Sequence, residues 1–265
     1  MIQTIDKSWE ALTQDRKNKE FLPTGFGGLD SFLDGGLLRK ELVVIGGFTG
    51  SGKSFLAGQI ACNIADKGFK SIYFSLEISN QMLISRMVGQ KSDLKATRIM
   101  CGLLTEEERE RELIAQAQLS TLNPYLHLSD EIYELEKIKE VIRKNKYEFV
   151  VIDFIQNVMT NKKDEYSSMT YISLELQRLA KECDCCIMVL SQLSNSAHKT
   201  GGLLEYKGSG GIAMVADLGF FIVRGEYPSN DLTLQLRKNR RGTYCNKELL
   251  MTGAGCLIKE NYGQK

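Results

Sequence analysis

Residues 47–54 read Gly-Phe-Thr-Gly-Ser-Gly-Lys-Ser, a full match to the spacing G-x-x-x-x-G-K-[ST]. Gly47, Gly50 and Gly52 let backbone N–H groups curl round phosphate oxygens, where a Cβ would obstruct. Thr49 and Ser51 belong to the same cradle. Lys53 would reach the β- and γ-phosphates of a nucleoside triphosphate, and the Ser54 hydroxyl would hold Mg²⁺. The flanks agree with this chemistry. Glu41 to Ile45 is a short apolar, β-branched run that predicts a buried strand. Phe55, Leu56, Ile60 and Ile64 then repeat with helical spacing. A new helix presents its positive dipole end and unpaired N–H groups to an anion. The expected ligands are ATP and Mg²⁺.

Three further groups stand at the ends of apolar runs. SIYFSL (71–76) predicts a strand that ends at Glu77. EFVVID (148–153) predicts a strand ending in Asp153. The run from Cys186 to Leu190 ends in Ser191 and Gln192. Ligands in open α/β sheets bind outside the carboxyl ends of the strands, so all three groups are candidates for the nucleotide site. Asp153 is the expected Mg²⁺ partner. Many P-loop ATPases carry a catalytic glutamate at the next position, but here it is Phe154. The general base must then come from another strand, and Glu77 is placed to align and deprotonate the attacking water. The plain alternative for Glu77 is an acid that suits a helix N-terminus. Gln192 would sense the γ-phosphate and pass its state into residues 194–212; the plain alternative is a polar strand end.

Basic residues gather in two places. Asp231 to Leu236 alternates with period two and predicts one arm of an antiparallel hairpin, with its tip at 237–242 and its return near 246–251. The tip carries Arg237, Lys238, Arg240 and Arg241. Lys238 and Arg240 project to one side of an extended strand and would serve as an arginine finger for a neighbour's nucleotide. Lys162, Lys163, Lys199 and Lys207, with the backbone of Gly208 to Gly211, would line a path for a phosphodiester backbone. Taken singly, each lysine is an ordinary solvated residue.

The elements between these groups alternate. Helices are predicted at 53–67, 79–89, 92–122, 133–145 and 169–183, and strands at 125–128 and 218–223 besides those above. That order implies an α/β fold, a mostly parallel twisted sheet flanked by helices. Residues 1–20 form an amphipathic helix and linker, with Ile2, Ile5, Trp9 and Leu12 on one stripe; residues 21–265 form the ATPase domain. The stripe would dock on a neighbouring subunit or pack on its own domain. Seven cysteines in such a chain suggest buried thiols, and Cys183, Cys185 and Cys186 lack a second pair at zinc spacing. A net charge of +1 makes any nucleic-acid site a local patch. No apolar run approaches the ~20 residues of a membrane helix, and the first residues lack a signal-peptide core. The expected location is the cytoplasm, that of the host if the chain is phage-encoded.

From Leu22 to Ile258 the chain resembles the RecA-like motor domain of hexameric replicative DNA helicases, the DnaB family. The matching pieces occur in order: LPTGFGGLD (22–30), the P-loop GFTGSGKS (47–54), SLEIS (75–79), ISRM (84–87), GLLTEEE (102–108), VVIDFIQ (150–156), VLSQLSN (189–195), KGSGGIAMVADL (207–218) and LRKNRRG (236–242). The resemblance implies a homo-oligomeric ring, most often of six subunits, around single-stranded DNA, with ATP between subunits and 5′-to-3′ translocation. It implies Lys53 and Ser54 on phosphate and Mg²⁺, Glu77 as base, Asp153 on Mg²⁺, Gln192 as sensor, and Lys238 and Arg240 as the trans-acting pair. Lys207, Gly208 and Gly210 fall where family members grip the DNA backbone.

The resemblance has departures. The N-terminal helical domain that collars the bacterial rings and meets primase has no counterpart here, so a primase or loader partner lacks support. Residues 2–20 would match at most its linker helix. Ala213 and Met214 replace an acidic and amide pair, and the GSGG wording is nearer the phage and mitochondrial primase-helicases. Two other functions share the P-loop. A RecA- or RadA-like recombination ATPase also has the strand-end glutamate and the glutamine, but the Lys-x-Arg hairpin and the helical insert at 79–122 favour a helicase. A non-DNA oligomeric switch ATPase would lack DNA-stimulated hydrolysis.

Overall fold

A computed structural model gives the structure of residues 4–17, 20–162, 165–192, 210–225, 229–242 and 244–261. Six strands run parallel: β1 (Leu42–Gly47), β2 (Ser71–Ser75), β3 (Leu126–Ser129), β4 (Phe149–Asp153), β5 (Cys186–Gln192) and β6 (Leu218–Arg224). Three antiparallel strands extend the sheet: β7 (Asp231–Asn239), β8 (Asn246–Thr252) and β9 (Leu257–Glu260). The order is β3-β2-β4-β5-β1-β6-β7-β8-β9. β5 therefore lies between the P-loop strand and the Asp153 strand.

The strands read as unbroken apolar runs because both faces of the sheet are covered. Val43 and Ile45 of β1 join one core with α3 (Lys53–Asp66), α4 (Asn80–Ser92) and α6 (Glu106–Ser120). Leu42 and Val44 join the other, with α7 (Leu135–Asn145), α8 (Glu165–Cys183) and the short α9 (Gly210–Val215). Cys185 and Cys186 are buried at the start of β5, and burial pushes the Cys185 thiol up to about 12. Among the described residues no helix is long and apolar enough to cross a membrane.

Several expectations shift. The helical stretch at 92–122 divides into α5 (Ala96–Met100) and α6, with Gly102 at positive φ between them. Thr105 and Glu108 then form a reciprocal capping box that starts α6. Residues 22–36 contain a helix that was not expected, α2 (Gly27–Phe32). Its Gly28 and Leu29 N–H groups donate to Glu260 of β9, 2.9 Å each. β9 itself was not expected. Residues 210–212 open α9, a helix that was not expected. The helix predicted at 169–183 starts earlier, at Glu165. At the amino end lies α1 (Ile5–Lys17), and Ile5 and Trp9 of the predicted stripe are 88% and 58% exposed.

An enclosed ion pair joins two helices of the second face. Lys139 Nζ of α7 donates to Glu175 Oε2 of α8 at 2.7 Å, and the two side chains are 9% and 15% exposed. The hydrogen bond from Lys139 holds the Glu175 carboxyl below the usual carboxylate range. Its contribution is therefore complete above the unfolded value of about 4.3 and is lost as pH falls through the lower folded value. Glu175→Gln should cost on the order of 2 kcal/mol at pH 7, between exposed and fully buried pairs. Urea unfolding of both chains at pH 7 and pH 3 should show that difference shrinking in acid.

Candidate nucleotide site and finger hairpin

Register brings the candidate residues to one end of the sheet. β1 pairs with β5 so that Gly47 lies opposite Gln192, and β2 pairs with β4 so that Ser75 lies opposite Asp153. The P-loop leaves β1 and enters α3, closing a cleft of about 400 Å³. Thr49, Gly50, Gly52, Lys53, Ser54, Glu77, Asp153 and Gln192 all line it. Gly47 cannot carry a side chain, because a Cβ would sit 2.7 Å from the Ile222 side chain and 3.0 Å from its carbonyl. Gly52 takes φ +95°, which admits the sharp entry into α3. The Ser51 hydroxyl is buried in the loop without a hydrogen-bond partner among the described residues.

Lys53 Nζ donates to the carbonyls of Gly47 and Phe48, 2.8 Å each. Burial pulls its pKa down, and the charges of Asp153 and Glu77 pull it back up. Asp153 is 2% exposed. Burial pushes its carboxyl above the usual range, while hydrogen bonds from Tyr73 and Ser54 and the charges of Lys53 and Arg86 oppose this. The Tyr73 phenol donates to Asp153 Oδ2 at 2.7 Å. The Asp153–Phe154 peptide is cis. A serine hydroxyl hydrogen-bonded to a buried carboxylate is a hard oxygen donor set, and it fits Mg²⁺. Ser54 and Asp153 would hold the ion, and when bound it would neutralise charge developing on phosphate oxygens.

The turn bearing Glu77 is clamped from β4. Leu76 N–H donates to Asp153 O at 2.7 Å, and Asn157 Nδ2 donates to Leu76 O at 2.7 Å. Glu77 is exposed at the cleft, where a water could reach it. Gln192 Nε2 donates to Thr49 Oγ1 of the P-loop in a short hydrogen bond. Gln156 steadies that strand end, donating to Ser191 Oγ at 2.9 Å.

Tyr73, Asn157 and Gln156 were not singled out from the sequence, and neither were two cleft arginines. Arg86 of α4 lies over the Phe55 ring, 5.1 Å from its centroid. Arg224 Nη1 donates to Gly50 O at 3.4 Å. Met251 and Cys256, from β8 and the turn beyond it, also line the cleft. Only the fold brings these residues together.

The hairpin residues sit at the other end of the sheet. Asn239 pairs with Leu218, which pairs with Val43, so Lys238 and Arg240 lie beside the amino end of β1. Leu42–Gly47 has 6 residues, so at about 3.3 Å per step the P-loop lies about 17 Å away along the strand. A bulge between Gly219 and Phe220 places an extra residue, Arg237, in β7. Leu232, Leu234 and Leu236 face the α3 core. Strict alternation would have sent Lys238 to that face as well; the bulge turns it to the opposite one, where α9 packs. Lys238 Nζ and Arg240 Nη2 both donate to Met214 O, at 2.7 and 3.2 Å. Burial and the neighbouring Arg240 charge lower the Lys238 pKa.

The other two tip arginines have structural partners. Arg241 donates to Glu41 and to the carbonyls of Leu33 and Gly36, and Arg237 donates to Gln235. Of the basic residues assigned to DNA, Lys162 lies over the Tyr171 ring, 5.0 Å from its centroid, after β4. Gly210 begins α9. Lys163, Lys199, Lys207 and Gly208 lie outside the described residues.

This fold is RecA-like. An ATPase domain of known structure matches with a TM-score of 0.89 at 21% identity, covering 98% of this chain and 100% of that one. A DnaB-like replicative helicase, solved in work on that protein's interactions with primase, matches at 0.84 and 21%, covering 98% and 67%. The chain belongs to the DnaB-like helicase C-terminal domain family, whose model matches residues 22–255. It is 30% identical over 243 residues to the replicative DNA helicase DnaB of Geobacillus stearothermophilus, covering 87% of this chain and 53% of that protein. It is 30% identical over 257 residues to DnaB of Treponema pallidum, covering 94% and 58%. The chain thus spans a little over half the length of these curated relatives.

The phenol of Tyr73 stabilises the charged form of a carboxylate that burial already disfavours. Tyr73→Phe should raise the Mg²⁺ concentration for half-maximal ATP turnover by at least about tenfold. The deficit should grow as pH is lowered, and a Mg²⁺ titration at pH 8 and pH 6 measures both.

Proposed function

We propose that this chain is an ATP-hydrolysing motor that assembles into a ring, with six subunits the expected number, and moves 5′-to-3′ on single-stranded DNA during replication in the cytoplasm. The observation that carries this reading is the separation of Arg240 and Lys238 from the cleft of their own chain. A cation at the far end of the sheet serves no nucleotide in its own cleft, whereas a second copy can present the pair there. Family membership and the helicase names of the relatives support the same reading.

In this mechanism the P-loop N–H groups and Lys53 hold the β- and γ-phosphates of ATP. Ser54 and Asp153 hold Mg²⁺. Glu77 aligns a water on the γ-phosphate and takes its proton. Gln192 reads the γ-phosphate and passes its state into residues 194–212. Arg240 and Lys238 of the neighbouring subunit stabilise charge on the transferring group. Lys162 and Lys163, with Lys207, Gly208 and Gly210, contact the DNA backbone, a sequence-independent grip suited to translocation. The exposed stripe of α1 is assigned to a neighbouring subunit, with residues 21–265 as the motor.

Steady-state ATPase with and without a single-stranded oligonucleotide tests the reading. Several-fold stimulation is expected, and Glu77→Gln should reduce turnover by at least about 100-fold while nucleotide still binds. Unstimulated hydrolysis with nucleotide-dependent assembly intact would favour the oligomeric switch instead.

A further inference from the structure

Asp217, outside the nucleotide cleft, bonds to two parts of the fold that the proposed mechanism must keep in register. It stands between α9 and β6. Toward the P-loop strand, its N–H donates to Leu42 O and its Oδ2 accepts from Leu42 N–H, 2.9 Å each. Toward the hairpin, its carbonyl accepts from Arg240 N–H at 3.0 Å, and its Oδ1 accepts from Arg240 Nη1 at 2.8 Å. The Asp217 side chain is 13% exposed and that of Arg240 is 48%. Gln177 of α8 reaches the same carboxylate at 3.5 Å and donates to Val215 O at 2.7 Å, tying α9 to α8.

A guanidinium has five N–H donors in a fixed plane. Arg240 gives one to Asp217 and one to Met214 O; the other three have no partner among the described residues. Two acceptors on rigid elements fix a planar group that would otherwise sample many rotamers. We infer that Asp217 is a positioning residue for the trans-acting finger. It holds the Arg240 guanidinium so that its three unspent donors meet an anionic phosphate oxygen on a neighbouring copy of this chain. The inference rests on the reading of Arg240 as that finger.

Two consequences follow from the geometry. The ordering of the arginine is completed within its own subunit, so less is lost when the neighbour's nucleotide arrives. Lys238 and Arg240 also share the Met214 carbonyl in the last turn of α9. A shift of α9 is therefore delivered to both cations through one oxygen.

The test is Asp217→Asn in the full chain. Asparagine keeps an acceptor for Leu42 N–H and the same shape, but it removes the charge that orients Arg240. DNA-stimulated kcat should fall about tenfold, with the Kd for ATP and the oligomer size unchanged. In an Arg240→Ala background, the residual turnover should fall less than about twofold on adding Asp217→Asn, because the group it positions is gone. Unchanged or faster turnover in Asp217→Asn alone would overturn the inference. So would an equal tenfold loss in both backgrounds, accompanied by a lowered Tm, which marks a merely structural role. Full turnover in Arg240→Ala alone would remove the finger reading itself, and the inference with it, an outcome distinct from failure of Asp217.

Discussion

The antiparallel pairing of β7 on β6, with one extra residue in its ladder, is the constraint on which the site depends. Six parallel strands deliver their carboxyl ends, and the groups that follow, to one side of the sheet. β7 runs the other way, so the residues that follow Leu236 emerge beside the amino end of β1. The bulge at Arg237 then turns Lys238 and Arg240 away from the leucine face and onto α9. Without the reversal the cations would sit near their own P-loop. Without the bulge they would point into the α3 core, where an unpaired charge is costly. In the proposed ring, sheet polarity and one inserted residue would thus divide a nucleotide site between two copies of the chain.

At the other end of the sheet, burial does the tuning. Asp153 sits deep enough that its charged form is disfavoured, and Tyr73, Ser54, Lys53 and Arg86 all oppose that penalty. Such a carboxylate gains much from a divalent cation. The turn carrying Glu77 is fastened to the same strand through Leu76 and Asn157, and Gln156 fastens the end of β5. The groups proposed for metal, base and sensor therefore hang on β4 and its following turn. Glu77 itself stays exposed, which suits its proposed role of meeting a water molecule.

Much of this was legible from local pattern. The P-loop announces itself because its chemistry needs glycines, a lysine and a hydroxyl at fixed spacing. Glu77, Asp153 and Gln192 could be read as strand ends because their strands are short, apolar runs. What one stretch of chain cannot reveal is who its neighbours are. The insertion of β5 between β1 and β4 depends on pairings between residues distant in the chain, Leu42 with Ile187 and Phe149 with Cys186. The same is true of the grip of Glu260 on α2, of Arg241 on Glu41 and of Asp217 on Arg240. Tyr73 gave no signal, since a tyrosine inside a buried strand reads as packing. The bulge was hidden because Asp231 to Leu236 alternates cleanly right up to it.

The most direct test of a nucleotide site divided between subunits is complementation between two inactive chains. Lys53→Ala keeps its finger but loses its phosphate grip; Arg240→Ala keeps its cleft but loses its finger. Each should be nearly inactive alone. Mixed in equal amounts under assembly conditions, they should recover DNA-stimulated ATPase at those interfaces where an intact cleft meets an intact finger. Recovery to a substantial fraction of wild-type turnover is the predicted result. A mixture no more active than its components, with mixed oligomers demonstrably formed, would contradict the account.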